Sequence, residues 1–243
     1  MNIIASFLLT NYRYPFWNYA EKPNALEYTE AWRKSIEKLG LASIVFIDEE
    51  QPQLEAFVSS KFMIDNIGMS SPKRRNYRIS GTNQIDFRWE IAYEFLKWNR
   101  HIENFFMTDI SDVTVLKNPF DFIEKGKIYV GDEACIIGEN EWIKNRVDII
   151  EQLSCKINYI GIKNKQILNC GIFGGHRETI LPVLEDMSNR IKCYGVQSDT
   201  VDMIALNEVL YSCYSDKIIH GKPLNTEFWK WDFNNKECYF QHK

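Results

Sequence analysis

The chain is short of several things, and each shortage removes a class of answer. Its six cysteines, at 135, 155, 170, 193, 213 and 238, never form a Cys-x-x-Cys pair. Neither zinc-site spacing nor a compact disulfide framework is present, and buried reduced thiols are expected. Positive charge is not in excess. The net charge is −4 at pH 7, which argues against broad nucleic-acid binding, because that needs a positive surface to displace counterions. The one dense basic run, Lys73-Arg74-Arg75 with Arg78, is short and reads as a solvated loop, with a phosphate or anionic-membrane contact as the alternative. No apolar run approaches the roughly 20 residues of a spanning helix. The opening Met1–Arg13 lacks the basic n-region of a signal peptide, so a first buried strand in a soluble, cytoplasmic protein is expected. Glycine is missing from Leu9–Pro15, which leaves no Gly-rich phosphate loop directly after that strand.

What remains is rich in core-forming residues. A hydrophobic fraction of 45% and an aromatic fraction of 14% over 243 residues suit one α/β domain, with residues 1–120 as a nucleotide-binding half and 121–243 as a second half with a tail. Strand and helix signals alternate. Ile3–Leu9 and Ser43–Ile47 are short apolar runs of the kind found in buried parallel strands. Between them Asn24–Leu39 places Leu26, Ala31, Trp32, Ile36 and Leu39 near one face, and Gly40 stops the helix. Asn83–Trp98 is a second helix by the same reasoning. Strands are expected at Lys127–Val130 (ending in Gly131-Asp132-Glu133), Asn158–Ile162, Gln166–Phe173 and Lys217–His220. Helices are expected at Glu141–Leu153, His176–Ile191 and Asp199–Tyr211, the last with Asp199 as N-cap. The aromatic tail Phe228–Phe240 has no clean period and is expected to wrap over the sheet.

The densest chemical signal lies in Asn104–Phe120. Phe105-Phe106-Met107 leads into Asp109 and Asp112, and a second apolar stretch, Val113–Leu116, follows. An apolar strand ending in clustered carboxylates presents hard oxygen ligands at a sheet edge; the same pattern also terminates strands and caps turns. Downstream stand Asn169-Cys170-Gly171, then Asp202-Met203-Ile204-Ala205-Leu206-Asn207, then His220-Gly221-Lys222-Pro223.

In that order, these segments resemble the GT-A class of nucleotide-sugar glycosyltransferases. Members carry an Asp-x-Asp-like metal motif after a central strand, an Asn-Ala-Gly-like and an Asp-Gln-x-x-Leu-Asn-like segment, and in several retaining members a terminal His-x-x-Gly-x-x-Lys-Pro-like segment. Here the acidic motif reads Asp-Ile-Ser-Asp, so Asp109 pairs with either Asp112 or Ser111. The terminal motif is compressed, with Gly221 directly after His220.

The resemblance implies a Rossmann-like domain with a mostly parallel central sheet flanked by helices. It implies transfer of a sugar from a nucleotide-sugar donor, most simply a UDP-sugar, to a glycan or lipid-linked acceptor, at a site peripheral to a membrane or free of one. Mg²⁺ or Mn²⁺ would be held by Asp109, Asp112 and His220, the imidazole favouring Mn²⁺. Thr10, Asn11 and Tyr12 in the first loop would meet the nucleotide, with Tyr12 or Tyr14 stacking on the base. Arg88, Asp109 and Lys222 would serve the diphosphate, and Asn169 a sugar hydroxyl. If the reaction inverts, Glu133 or Asp202 is the general base; if it retains, no such base is needed. Two rivals share this layout. A nucleotidyltransferase is disfavoured by the missing glycines, and a non-catalytic glycan-binding domain would not need the aspartates.

Overall fold

The computed structural model describes residues 1–9, 24–47, 60–63 (backbone only), 85–153, 155–196, 199–228, 235 and 237–243. The first expected nucleotide contacts, Thr10, Asn11 and Tyr12, Tyr14 and the basic cluster at 73–78 lie outside those residues. Nine strands alternate with seven helices among the described residues. The strands are β1 (Asn2–Leu8), β2 (Ser43–Ile47), β3 (Ser60–Met63), β4 (Asn104–Thr108), β5 (Val113–Val115), β6 (Ile128–Ile136), β7 (Gln166–His176), β8 (Ile218–Ile219) and β9 (Phe240–His242). The helices are α1 (Ala25–Tyr28), α2 (Glu30–Leu39), α3 (Arg88–Trp98), α4 (Glu141–Gln152), α5 (Tyr159–Ile162), α6 (Arg177–Tyr194) and α7 (Asp202–Cys213).

Seven strands form one mixed sheet in the order β3-β2-β1-β4-β7-β6-β8, and β5 pairs with β9 in a separate two-stranded sheet. β3, β2, β1 and β4 run parallel; β7 is antiparallel to both β4 and β6, and β8 is parallel to β6. β1, β2, β4, β6 and β8 therefore all deliver their carboxyl ends to one edge. The chain builds outward from β1 through β2 and β3, then crosses to the other side of β1 with β4. In open α/β sheets, such a reversal opens a crevice between the carboxyl ends of the two strands, and that crevice is where ligands bind.

Both sheet faces are covered, which explains why the central strands read as continuous apolar runs. Alternation along the backbone divides the core. Ile3, Ala5, Phe46, Phe105, Met107 and Val130 pack with α3, α4, α6 and α7. Ile4, Leu8, Val45, Ile47, Phe106 and Tyr129 pack with Trp32 and Ile36 of α2 and with Val113, Val115 and Phe240 of the small sheet. No helix among the described residues is long and apolar enough to cross a membrane.

Several boundaries differ from the sequence reading. The first helix is two pieces joined at Thr29, with Asn24 capping α1 through a bond from the Leu26 N–H and Gly40 closing α2 in the left-handed region at φ 61°. Asn158–Ile162 is not a strand; its apolar residues form the single turn α5, since four residues carry too little periodicity to separate strand from helix. β6 does not end before Gly131-Asp132-Glu133 but runs through them, with register shifts after Val130 and Asp132. β7 contains Asn169-Cys170-Gly171 as expected but continues past Phe173 to His176. The cysteines are free, but only Cys170 and Cys238 are buried, and Cys193 and Cys213 are exposed.

Candidate functional site

The site begins where β4 stops. Asp109 follows the last β4 residue, and its backbone N–H still donates to the Gly171 carbonyl of β7 at 2.9 Å. This fixes the carboxylate at the carboxyl end of β4, where that strand borders β7. The intervening turn delivers Asp112 just before β5. The β5–β9 register then pairs Val113 with His242, and the Lys243 N–H donates to the Asp112 carbonyl at 3.1 Å. One short antiparallel pairing thus returns the end of the chain to the aspartates.

Asp109, Asp112 and His242 form one cluster, each offering a ligand atom within 4.8 Å of the others. His242 Nε2 lies 3.8 Å from Asp112 Oδ2. The histidine is only 2% exposed, its backbone N–H donates to Thr226 Oγ1 at 3.1 Å, and its Nδ1 is buried with no hydrogen-bond partner among the described residues. Burial pushes the Asp109 carboxyl above the usual carboxylate range, and the neighbouring Asp112 adds to this. The Arg88 and His242 charges act in the opposite direction. Two crowded carboxylates with the Nε2 of a buried imidazole beside them form a donor set suited to a divalent cation, which would relieve the repulsion between the carboxylates. Gly171 is required beside it, because a Cβ there would lie 2.3 Å from His242 Cε1 and 2.7 Å from Nε2.

Behind Asp109 lies a charge relay of fixed geometry. Arg88, at the start of α3, donates from Nη1 to Asp109 Oδ1 at 2.6 Å and from Nη2 to Asp202 Oδ2 at 2.7 Å. Its side chain is 11% exposed. Asp202 opens α7, is 5% exposed and also accepts from Trp89 Nε1 at 3.4 Å. Asp86 in turn accepts the Val201 and Asp202 N–H groups. It is therefore Asp86, across the structure, that caps this helix; Asp199 instead pairs with Arg146 Nη2 at 2.8 Å. Burial, then the Asp202 charge, pushes the Asp86 carboxyl well up.

On the β6 side, Glu133 Oε1 accepts from Asn169 Nδ2 at 2.6 Å, and Asn169 Oδ1 accepts the Gly171 N–H at 2.7 Å. Burial raises the Glu133 carboxyl above its ordinary value, while Asn169 and the His242 charge oppose this. The irregular register of β6 re-aims consecutive side chains at one edge, the usual effect of a bulge.

The expected residues are thus brought together in two groups. Asp109 and Asp112 join His242, and Arg88 and Asp202 stand behind Asp109; Asn169 and Glu133 form a bonded pair. His220 lies outside the cation cluster, with its Nδ1 2.9 Å from Asp132 Oδ2, and Lys222 is exposed. His242 was missed because it sits in a tail without period. The available signal was that Phe240 and His242, two apart on a short strand, share a face. Searched against models of known protein families and against curated protein sequences, the chain matches none.

Proposed function

We propose that the protein is a metal-dependent glycosyltransferase that moves a hexose or related sugar from a nucleotide-sugar donor, a UDP-sugar, to a glycan or lipid-linked acceptor. The observation that carries this reading is the Asp109–Asp112–His242 group at the carboxyl end of β4, beside the strand-order reversal where open α/β sheets take nucleotides. The motif resemblance to GT-A enzymes supplies the chemistry, and the α/β layout is compatible with it.

Asp109, Asp112 and His242 would hold Mg²⁺ or Mn²⁺. When bound, the cation supplies Lewis-acid stabilisation of the charge that accumulates on the departing nucleoside diphosphate. The residues around it have separate duties. Arg88, committed to two carboxylates, fixes the rotamer of Asp109 and leaves Asp109 Oδ2 for the ligand. Asp202 and Asp86 hold Arg88 against the first turn of α7. Asn169 and Glu133, bonded to each other, would serve the sugar, and the exposed Lys222 would meet phosphate from solvent.

The test is UDP release from a panel of UDP-hexoses and UDP-N-acetylhexosamines in the presence of MnCl₂. The expected result is release from at least one sugar, abolished by chelator and by Asp109→Asn with Asp112→Asn. UDP–Mn²⁺ binding without release of product from any sugar would favour the non-catalytic glycan-binding reading. Release indifferent to chelator and to the aspartates would contradict the metal site.

A further inference from the structure

His220 and Asp132 form a second constellation at the same sheet edge, with no part in holding the cation. β8 is parallel to β6 and pairs Ile219 with Tyr129, so His220 leaves the carboxyl end of β8 level with the point where β6 becomes irregular. Asp132 is buried, at 7% exposure, and its two oxygens are fully engaged. Oδ2 accepts from Gln166 Nε2 at 2.8 Å and faces His220 Nδ1 at 2.9 Å, and Oδ1 accepts from Asn225 Nδ2 at 2.9 Å. The His220 side chain is 32% exposed, and among the described residues no protein group is bonded to its Nε2. An imidazole with Nδ1–H tied to a buried carboxylate and Nε2 open to solvent is arranged to accept a proton at Nε2. The carboxylate fixes the tautomer and supports the imidazolium that results.

The pair is adjacent to the cation cluster. Asn225 Nδ2 also donates to the Thr226 carbonyl at 2.9 Å, and Thr226 Oγ1 accepts the His242 N–H. Glu133, next to Asp132, is bonded to Asn169, which borders Gly171 and His242. Among the described residues the titratable group in contact with His220 is Asp132; Asp132 in turn acts on Glu133 and on Tyr211 of α7, whose hydroxyl is raised by burial and then by Asp132, and Lys222 lies two residues along the chain.

We propose that His220 is the general base of the transfer reaction, positioned by Asp132; this rests on the glycosyltransferase reading above. The acceptor hydroxyl gives its proton to His220 Nε2 as its oxygen forms a bond to the anomeric carbon. The bond from that carbon to the phosphate oxygen breaks, and its electron pair leaves with the nucleoside diphosphate. The imidazolium then returns its proton to water. Attack opposite the leaving group inverts the anomeric carbon.

The experiment combines binding, turnover and spectroscopy on the full chain. In His220→Ala and His220→Gln, turnover of the UDP-sugar found active with wild type should fall by about 10²–10⁴-fold, with UDP–Mn²⁺ affinity within about twofold of wild type. Free imidazole should partly restore His220→Ala. The acid limb of the wild-type pH–rate profile should vanish in His220→Gln and persist in Glu133→Gln. The sugar product should carry the inverted anomer. Loss of UDP–Mn²⁺ affinity in His220→Ala, near-wild-type turnover, or a retained anomer would each overturn the proposal. Independently of any substrate, long-range ¹H–¹⁵N NMR should find neutral His220 protonated at Nδ1 in wild type, with that preference weakened in Asp132→Asn; an Nε2–H tautomer would overturn it. Wild type that binds no UDP with Mn²⁺ and releases none contradicts the glycosyltransferase reading itself, and the base falls with it.

Discussion

Two charge networks, each joining an arginine to acidic side chains, reach opposite states. In the first, Glu208 of α7 is 5% exposed. Its two oxygens accept from Arg190 and Tyr194 of α6, and Oε1 also accepts the Asn158 N–H at 2.7 Å. Burial and the Glu208 charge push the Tyr194 hydroxyl far up, so it stays a neutral donor. Every polar atom of that carboxylate is answered by protein. In the second, Arg88 answers one oxygen of Asp109, Asp112 crowds in with like charge, and His242 Nδ1 is buried with no partner among the described residues. A closed network locks α6 to α7, whereas an open one leaves coordination for something else. The difference distinguishes an ion pair that supports the fold from a candidate site, because carboxylates crowded together disfavour their charged forms unless a bound cation relieves the repulsion.

The comparison can be broken by substitution, and the largest effect belongs to the closed network. Glu208→Gln leaves Arg190 without its counter-charge inside the α6–α7 interface. The Arg190 side chain is 26% exposed, so urea unfolding should show a loss of about 1.5–3 kcal/mol, and a loss under about 1 kcal/mol would mean that this network does not support the fold. Next in size is Gly171→Ala, whose Cβ would strike the buried His242 ring. Overpacking should cost about 1–3 kcal/mol, and Mn²⁺ affinity should fall with both aspartates intact; unchanged affinity would remove His242 from the ligand set.

Asp112→Asn should alter stability of the apoprotein by no more than about 0.5 kcal/mol, because it relieves crowding of Asp109 as it removes a partner of His242. A large loss would place Asp112 among the structural groups.

The smallest effect is in pH dependence. The folded state holds the Glu133 carboxyl above its unfolded value, so the folded state binds the proton more tightly. The stability this gives is present at low pH and is lost as pH rises through the raised value. Glu133→Gln removes that loss. Its Tm relative to wild type should therefore be higher at pH 7 than at pH 4, and a difference that shrinks with rising pH would contradict the assignment.

Much of this arrangement is legible in the sequence. The β4 strand ending in Asp109 is marked by Phe105-Phe106-Met107, and α2 by its periodic apolar residues and Gly40, because these are local signals. The pairing of Arg88 with Asp109 and Asp202 is not local. It joins residues 21 and 114 positions apart and is decided by the placement of β4 beside β1 and the docking of α3 on α6, which in turn packs on α7. The capping of α7 by Asp86 rather than Asp199 has the same origin. His242 depends on the β5–β9 register, which two three-residue strands set only through their shared core with Phe106 and Tyr129. The resemblance assigned the distal metal-ligating histidine to His220, through the Gly221-Lys222-Pro223 that follows it. The fold brings His242 to the aspartates and His220 to Asp132.

The central claim is that Asp109, Asp112 and His242 hold a divalent cation that recruits a nucleoside diphosphate. Calorimetric titration of UDP into the protein, with Mn²⁺ or with chelator, tests it most directly in wild type, Asp109→Ala/Asp112→Ala and His242→Ala. UDP should bind wild type only with Mn²⁺, with binding lost in the double variant and weakened at least about tenfold in His242→Ala. UDP binding that survives chelation, or that ignores the aspartates, would contradict it.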